Sequence, residues 1–166
     1  MKLYAYNKPA GIIAAAGEVA AIPAGAEAVE GVFPTENVTL YPVSELAEES
    51  KGLVIMTDDA SQVEALKAKL ADSEMEFHVD VDHPLNTAVI QKIRADYSCR
   101  ISWTEADGTV INIKPCSEQI LKDIMAGEGY GVRLLKKYRV ANLKIKKVAL
   151  GAYAEYTEAE VAAFMA

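Results

Sequence analysis

The sequence predicts an α+β domain in which helices pack against a mixed sheet, and three observations carry that reading. Apolar, β-branched runs of strand length recur in sequential groups. Helix-start signals fall between those groups rather than after every strand. Strands and helices therefore do not alternate one for one, as a doubly wound fold requires. The 166 residues suit one domain spanning 1–166. A chain of that length buries about two-thirds of its surface without disulfide or metal staples.

In order, KLYAYN sets Lys2, Tyr4 and Tyr6 against Leu3 and Ala5, a strand closed by the turn NKPAG. Residues 10–35, rich in Ala and Gly with Pro23 and Pro34, read as a long irregular connection. VTLYPV (38–43) and GLVIMT (52–57) are strands by length and β-branching. Asp59 or Ser61 can start a helix running to about Leu70, with Ser61 and Glu64 at capping-box spacing. MEFHVDV (75–81) alternates as a half-buried strand. Asn86 then caps a helix to about Ala95 with Val89, Ile90 and Ile93 on one face. SCRISW and TVINIK flank ADG, a hairpin signal. Ser117 is an N-cap for EQILKDIMA, whose Ile120, Leu121, Ile124 and Met125 form one apolar face, and GEGYG ends that helix. VRLLKKYRV and LKIKKV read as strands, and a second capping box, Thr157 to Glu160, opens the last helix.

Composition narrows the class. The start MKLYAYNKPAG lacks a basic segment followed by an apolar core, and no apolar run is long enough to span a bilayer, so the expectation is a cytoplasmic chain without a membrane partner. Cys99 and Cys116 show no metal-type spacing and read as reduced thiols. The net charge of −7 argues against a general nucleic-acid binder. Yet Arg133, Lys136, Lys137, Arg139, Lys144, Lys146 and Lys147 form a stretch without one acid, leaving 10 positive against 24 negative charges elsewhere, or −14. Such a stripe is either a phosphate track or the solvated face of a hairpin, and strand alternation divides it between two faces.

Generic catalytic patterns are missing: the sequence has no Walker loop, GxGxxG, HExxH or GxSxG. His78 and His83 read as ordinary strand and turn residues, and neither a metal nor a cofactor is expected. Glu45, Glu48, Glu49, Asp58 and Asp59 crowd the stretch SELAEESKGLVIMTDD. Paired acids can do acid–base work if their environments differ, but five acids at a turn are more simply solvated or placed at a helix start.

The order of the pieces is more specific. NKPAG (7–11), then LYPVSELAEESKGLVIMTDD, then MEFHVDV resembles the ribosomal-RNA pseudouridine synthases, the branch that modifies single uridines of small- and large-subunit RNA. That family's pattern runs N-K-P-x-G, then G-R-L-D-x-x-[ST]-x-G-L-L-x-x-T-x-D, then a strand with K-x-Y. Residues 115–139, PCSEQILKDIMAGEGYGVRLLKKYR, resemble its E-G-R-x-R-Q-V-R-R-M-F helix and following strand, and the closing residues resemble its C-terminal motif. Asn7, Lys8, Pro9, Gly11, Leu46, Ser50, Gly52, Leu53, Thr57, Asp59, Gly129, Arg139, Thr157 and Glu160 all match. The resemblance implies the pseudouridine-synthase catalytic-domain fold, a mainly antiparallel mixed sheet with packed helices. The S4-type RNA-binding module usual at the N-terminus of that branch is expected to be absent, because the sequence opens on the strand that begins the catalytic domain.

The chemistry that the resemblance implies is depleted. That reaction detaches uracil from ribose and reattaches it through carbon, using one Asp carboxylate. The positions of G-R-L-D are Ser44, Glu45, Leu46 and Ala47 here, so the Asp position holds a methyl and the Arg position an acid. Met75 stands for the Lys and Phe77 for the Tyr of K-x-Y, with Phe77 still able to stack on a base. In the basic helix motif only Lys122 keeps a charge. No catalytic residue is therefore expected, and Ser44, Glu45, Ala47, Glu48, Met75, Phe77 and Lys122 would line a vestigial cleft. The reading is a pseudoenzyme of this family that retains RNA or ribosome contact through Lys8 and the 133–147 stripe. Two alternatives are an active synthase with Glu48 or Glu45 as relocated carboxylate, and a module for a protein partner.

Overall fold

The computed structural model describes residues 1–14, 27–28, 39–97, 100–104, 108–113 and 117–166. In chain order the elements are β1 (Leu3–Lys8), β2 (Ile12–Ile13), β3 (Glu27–Ala28), β4 (Tyr41–Pro42), β5 (Lys51–Thr57), α1 (Val63–Ala71) and β6 (Met75–Val81). They continue with α2 (Thr87–Tyr97), β7 (Arg100–Thr104), β8 (Gly108–Ile113), α3 (Glu118–Gly127), β9 (Val132–Val140), β10 (Leu143–Lys144), β11 (Tyr153–Glu155) and α4 (Glu158–Met165). One sheet runs β11-β1-β5-β9-β6-β8-β7, with β4 added on β5 and β10 on β9. Its pairs are antiparallel except β5 with β9. The α+β, mainly antiparallel expectation holds.

Strand periodicity sends alternate side chains to two layers. Tyr4, Tyr6, Val54, Met56, Phe77, Val79 and Leu135 meet Ile90 and Ile93 of α2 and Leu121, Ile124 and Met125 of α3. Leu3, Ala5, Leu53 and Ile55 meet Leu66 and Leu70 of α1 and Phe164 of α4 on the opposite side. Every position of β1 is buried, because both faces of this inner strand are covered.

Several elements depart from expectation. Of VTLYPV, Tyr41–Pro42 pair with β5, Thr39 and Leu40 belong to no strand, and Val38 lies outside the described residues. LKIKKV forms a ladder at Leu143 and Lys144, and Ile145 adds a hydrogen bond to the Tyr138 carbonyl at 2.7 Å. Asp59 caps, but it caps a 3-10 turn over Ala60–Gln62 through the Ser61 amide, and α1 follows Gln62 without a side-chain cap, so the Ser61–Glu64 box does not form. Asn86 does cap α2, its Oδ1 accepting from the Val89 amide at 2.9 Å. Ser117 caps α3, and Thr157 with Glu160 closes a reciprocal capping box on α4. Ile120 leaves the apolar face of α3 and is 45% exposed. The β7–β8 pairing agrees with the hairpin signal, while its Ala106 and Asp107, the 15–26 and 29–38 stretches with Pro23 and Pro34, and Cys99 and Cys116 lie outside the described residues.

Candidate functional site

The loop 44–50 sits over the layer that holds Phe77 and α3, and the whole backbone around it is tied down. Val43 donates to the Ile55 carbonyl at 2.8 Å, and the buried Ser44 hydroxyl accepts from the Ile55 amide at 2.9 Å. Leu46 exchanges both backbone hydrogen bonds with Ala14, and Gly11 donates to the Glu48 carbonyl at 2.8 Å. Gly52 lets the sheet close beneath: its φ is +105°, and a Cβ there would lie 2.3 Å from the Lys137 carbonyl oxygen.

Two buried lysines hold the loop from below. Lys137, 2% exposed, donates from Nζ to the Glu45 carbonyl at 2.6 Å, with its ammonium 5.9 Å from the centre of the Phe77 ring. Lys8, 0% exposed, donates to the carbonyls of Pro9 (2.9 Å), Glu48 (3.3 Å) and Ile12. Burial lowers both amines to about 8, against the pull of the Glu118 carboxylate.

Glu118 closes the loop from the side of α3. Its Oε2 accepts from the Ala47 amide at 2.9 Å, and its Oε1 accepts from the Ser50 hydroxyl. Lys122, one helical turn on, lies 3.0 Å from Oε1 and also pairs with Glu49. Burial alone would lower the Lys122 amine, but hydrogen bonds to Glu49 and Glu118 outweigh it and raise it. The same contact from Lys122 holds the Glu49 carboxyl below its usual range. The Glu118 side chain is 12% exposed, so this carboxylate is largely out of water and satisfied by donors.

The structure thus brings Ser44, Glu45, Ala47, Glu48, Phe77 and Lys122 to one loop, with Met75 two residues from Phe77 along β6, opposite Val140. Several roles change. Phe77 is fully buried, so its ring is not presented to a base. The side chains of Glu45 and Glu48 are exposed, and only their carbonyls face the buried lysines. Lys8 and Lys137 leave the set of surface cations, because both are enclosed under the loop. Arg139 is paired with Glu74 and, at 3.0 Å, Glu76, and Lys146 with Glu160 at 2.6 Å. The Lys136 ammonium lies 4.8 Å from the Tyr138 ring centre. Arg133, Lys144 and Lys147 are exposed, Arg133 donating to the Asp82 carbonyl at 3.0 Å. Asp58 accepts from the Lys2 amide at 2.7 Å and Asp59 is a cap, so neither joins a catalytic pair.

His83 stacks on Tyr130 with ring centres 4.2 Å apart and meets Asp82 at 2.6 Å, and His78 packs beside Tyr138. Among the described residues no three His, Cys, Asp or Glu side chains gather as metal ligands, and no helix is long and apolar enough to cross a membrane.

Glu118 is the residue that sequence reasoning missed. Its only signal was an acid following the N-cap Ser117, which reads as helix-dipole complement. Its partners are 68 and 71 positions away, beyond the reach of any local period.

No family model matches the chain. The dual-specificity RNA pseudouridine synthase RluF of Escherichia coli strain K12 is 22% identical over 167 aligned positions, covering 96% of this chain and 56% of that protein. The Salmonella typhi protein of the same name gives the same figures. The chain therefore spans about half the length of the curated relatives it matches. A crystal structure of a pseudouridylate synthase superposes with a TM-score of 0.79 at 16% identity, covering 98% of this chain and 73% of the other. The archaeal box H/ACA sRNP Nop10–Cbf5 complex gives 0.52 at 10% identity, covering 88% and 50%. This chain has the pseudouridine-synthase fold, and its sequence is similar at 22% identity to RNA pseudouridine synthases.

Proposed function

We propose that this chain is a pseudouridine-synthase-fold protein that does not isomerise uridine. The observation that carries the reading is Ala47, at the loop position where the family places its Asp, with its amide taken up by Glu118. A methyl can neither attack a sugar carbon nor accept a proton. The relocated-carboxylate alternative asks Glu45 or Glu48 to turn inward. Both are exposed, and their carbonyls are held by Lys137, Lys8 and Gly11, so turning either inward breaks the bonds that shape the loop. Displacement of a reacting group by about 1 Å costs on the order of 100-fold in rate. Glu118 stands on α3 and not at the loop position of the family's Asp, and its carboxylate is tied to the Ala47 amide, the Ser50 hydroxyl and Lys122.

For RNA or ribosome contact, the exposed Arg133, Lys144 and Lys147 support a weak electrostatic interaction rather than a continuous phosphate track. The test of inactivity is tritium release from uridine-labelled ribosomal RNA incubated with the purified chain, paired with pseudouridine mapping in cells with and without its gene. No release and an unchanged map are expected. A pseudouridine lost on deletion and restored by the native chain, but not by its Glu48→Gln or Glu45→Gln form, would establish the relocated carboxylate instead.

A further inference from the structure

We propose that the space beneath the 44–50 loop is an oxyanion site, of phosphate or carboxylate type, which the chain fills with its own Glu118 carboxylate. The donors form the set such an anion takes: a backbone N–H (Ala47, 2.9 Å), a hydroxyl (Ser50) and an ammonium (Lys122, 3.0 Å). Ser50 is buried, and the two enclosed lysines, Lys8 and Lys137, act on the same carboxylate electrostatically. The acids that face the cluster are Glu49, which shares Lys122, with Glu48 beside Lys8 and Glu45 beside Lys137. Removing the Glu118 carboxylate leaves the two donors without an acceptor and three cations without their common anion. A buried donor or charge stripped of its partner is costly, and that cost is what draws in an external anion. The inference builds on the reading of this loop as a retired cleft. Its test measures anion binding rather than uridine chemistry, so either can fail without the other.

Thermal unfolding of the full chain, native and Glu118→Ala, is followed in sodium phosphate and in sodium formate, each against sodium chloride at matched ionic strength. The variant's Tm is expected to rise by about 2–4 °C once the anion reaches about five times its dissociation constant. The native protein should show no response beyond that in chloride. Response to formate alone assigns the site to carboxylates, and response to phosphate assigns it to phosphoryl groups. Adding Ser50→Ala to the variant should reduce the response. If Glu118→Ala fails to fold, Glu118→Ser opens the same space with a side chain suited to a helix start. A variant that responds no more than the native protein overturns the proposal. So does failure of both variants to fold in either anion, because a fillable site would be rescued.

Discussion

Gly52 shows how one residue fixes the loop. Its φ of +105° lies where side chains are strained, and a methyl would lie 2.3 Å from the Lys137 carbonyl oxygen and 2.9 Å from its nitrogen. Both obstacles are backbone atoms of the paired strand, so neither can swing aside. Gly52→Ala should destabilise the protein by about 3 kcal/mol or more. Gly129→Ala, at φ +84° with nothing within 4 Å, should cost only about 1–2 kcal/mol. Urea unfolding of the two variants side by side checks the ranking, and equal losses would mean that β5 shifts to accept the methyl. The buried lysines add a pH signature. Both amines are lowered to about 8, chiefly by burial, whereas an unfolded lysine holds its proton to 10.5. Between pH 8 and 10 the unfolded chain therefore binds more protons, and stability rises with pH. The gain is complete above 10.5 and is lost as pH falls through 8. Tyr156, raised by burial, acts in the opposite sense only above about pH 10. The urea midpoint should climb from pH 8 to 10, and Lys137→Met should flatten the climb. A native midpoint that falls over this range contradicts the account. None of this is legible locally: Lys8 matches the family scaffold and Lys137 falls in the basic stripe, and the fold encloses both beneath the loop.

Elements were legible where the determinant is local and obscure where it is a partner strand. The alternation of MEFHVDV gave β6 residue for residue, and the Ser117 and Thr157 caps are hydrogen bonds spanning three positions. By contrast, VTLYPV and LKIKKV carry strand-like composition, yet among the described residues each forms a ladder over two positions and adds one further backbone hydrogen bond, from Val43 and from Ile145. The fold class is unaffected, because the apolar runs of β1 and β5 still mark buried inner strands of the sheet. At the C-terminus, α4 is short and buries Phe164 against the layer holding Leu3 and Leu53. Its start depends on Thr157, whose hydroxyl accepts from the Glu160 amide while the Glu160 carboxylate accepts from the Thr157 amide at 2.7 Å. Thr157→Ala should cost about 1 kcal/mol, within the usual range for a lost cap. Hydrogen exchange should quicken in α4 and not in α3, and uniform quickening would show that the last helix unfolds only with the whole domain.

For the whole molecule the deciding quantity is how much of the positive stripe reaches solvent. Seven cations stand on a chain of net charge −7. Lys137 is buried, Lys136 lies against Tyr138, and Arg139 and Lys146 are paired with acids. The partners of Arg139 are Glu74 and Glu76, at separations of 65 and 63 positions, so the sequence could show the stripe but not its neutralisation. Two of the three exposed cations, Arg133 and Lys144, are also far apart. Lys144 pairs in register with Arg139, six residues along β9 from Arg133. At about 3.3 Å per residue, that separates Lys144 from Arg133 by roughly 20 Å. Each contact with single-stranded RNA contributes a salt slope of about −0.7, so three contacts give about −2. Affinity should then fall by no more than about 20-fold between 50 and 200 mM salt, whereas six to ten contacts at the same slope would cost about 300-fold to 16,000-fold. A fluorescence titration with a uridine-containing ribosomal hairpin across that range separates the two. The steeper fall would require the paired cations to exchange their carboxylates for phosphates, and with it a surface that the acids at 74, 76 and 160 release on binding.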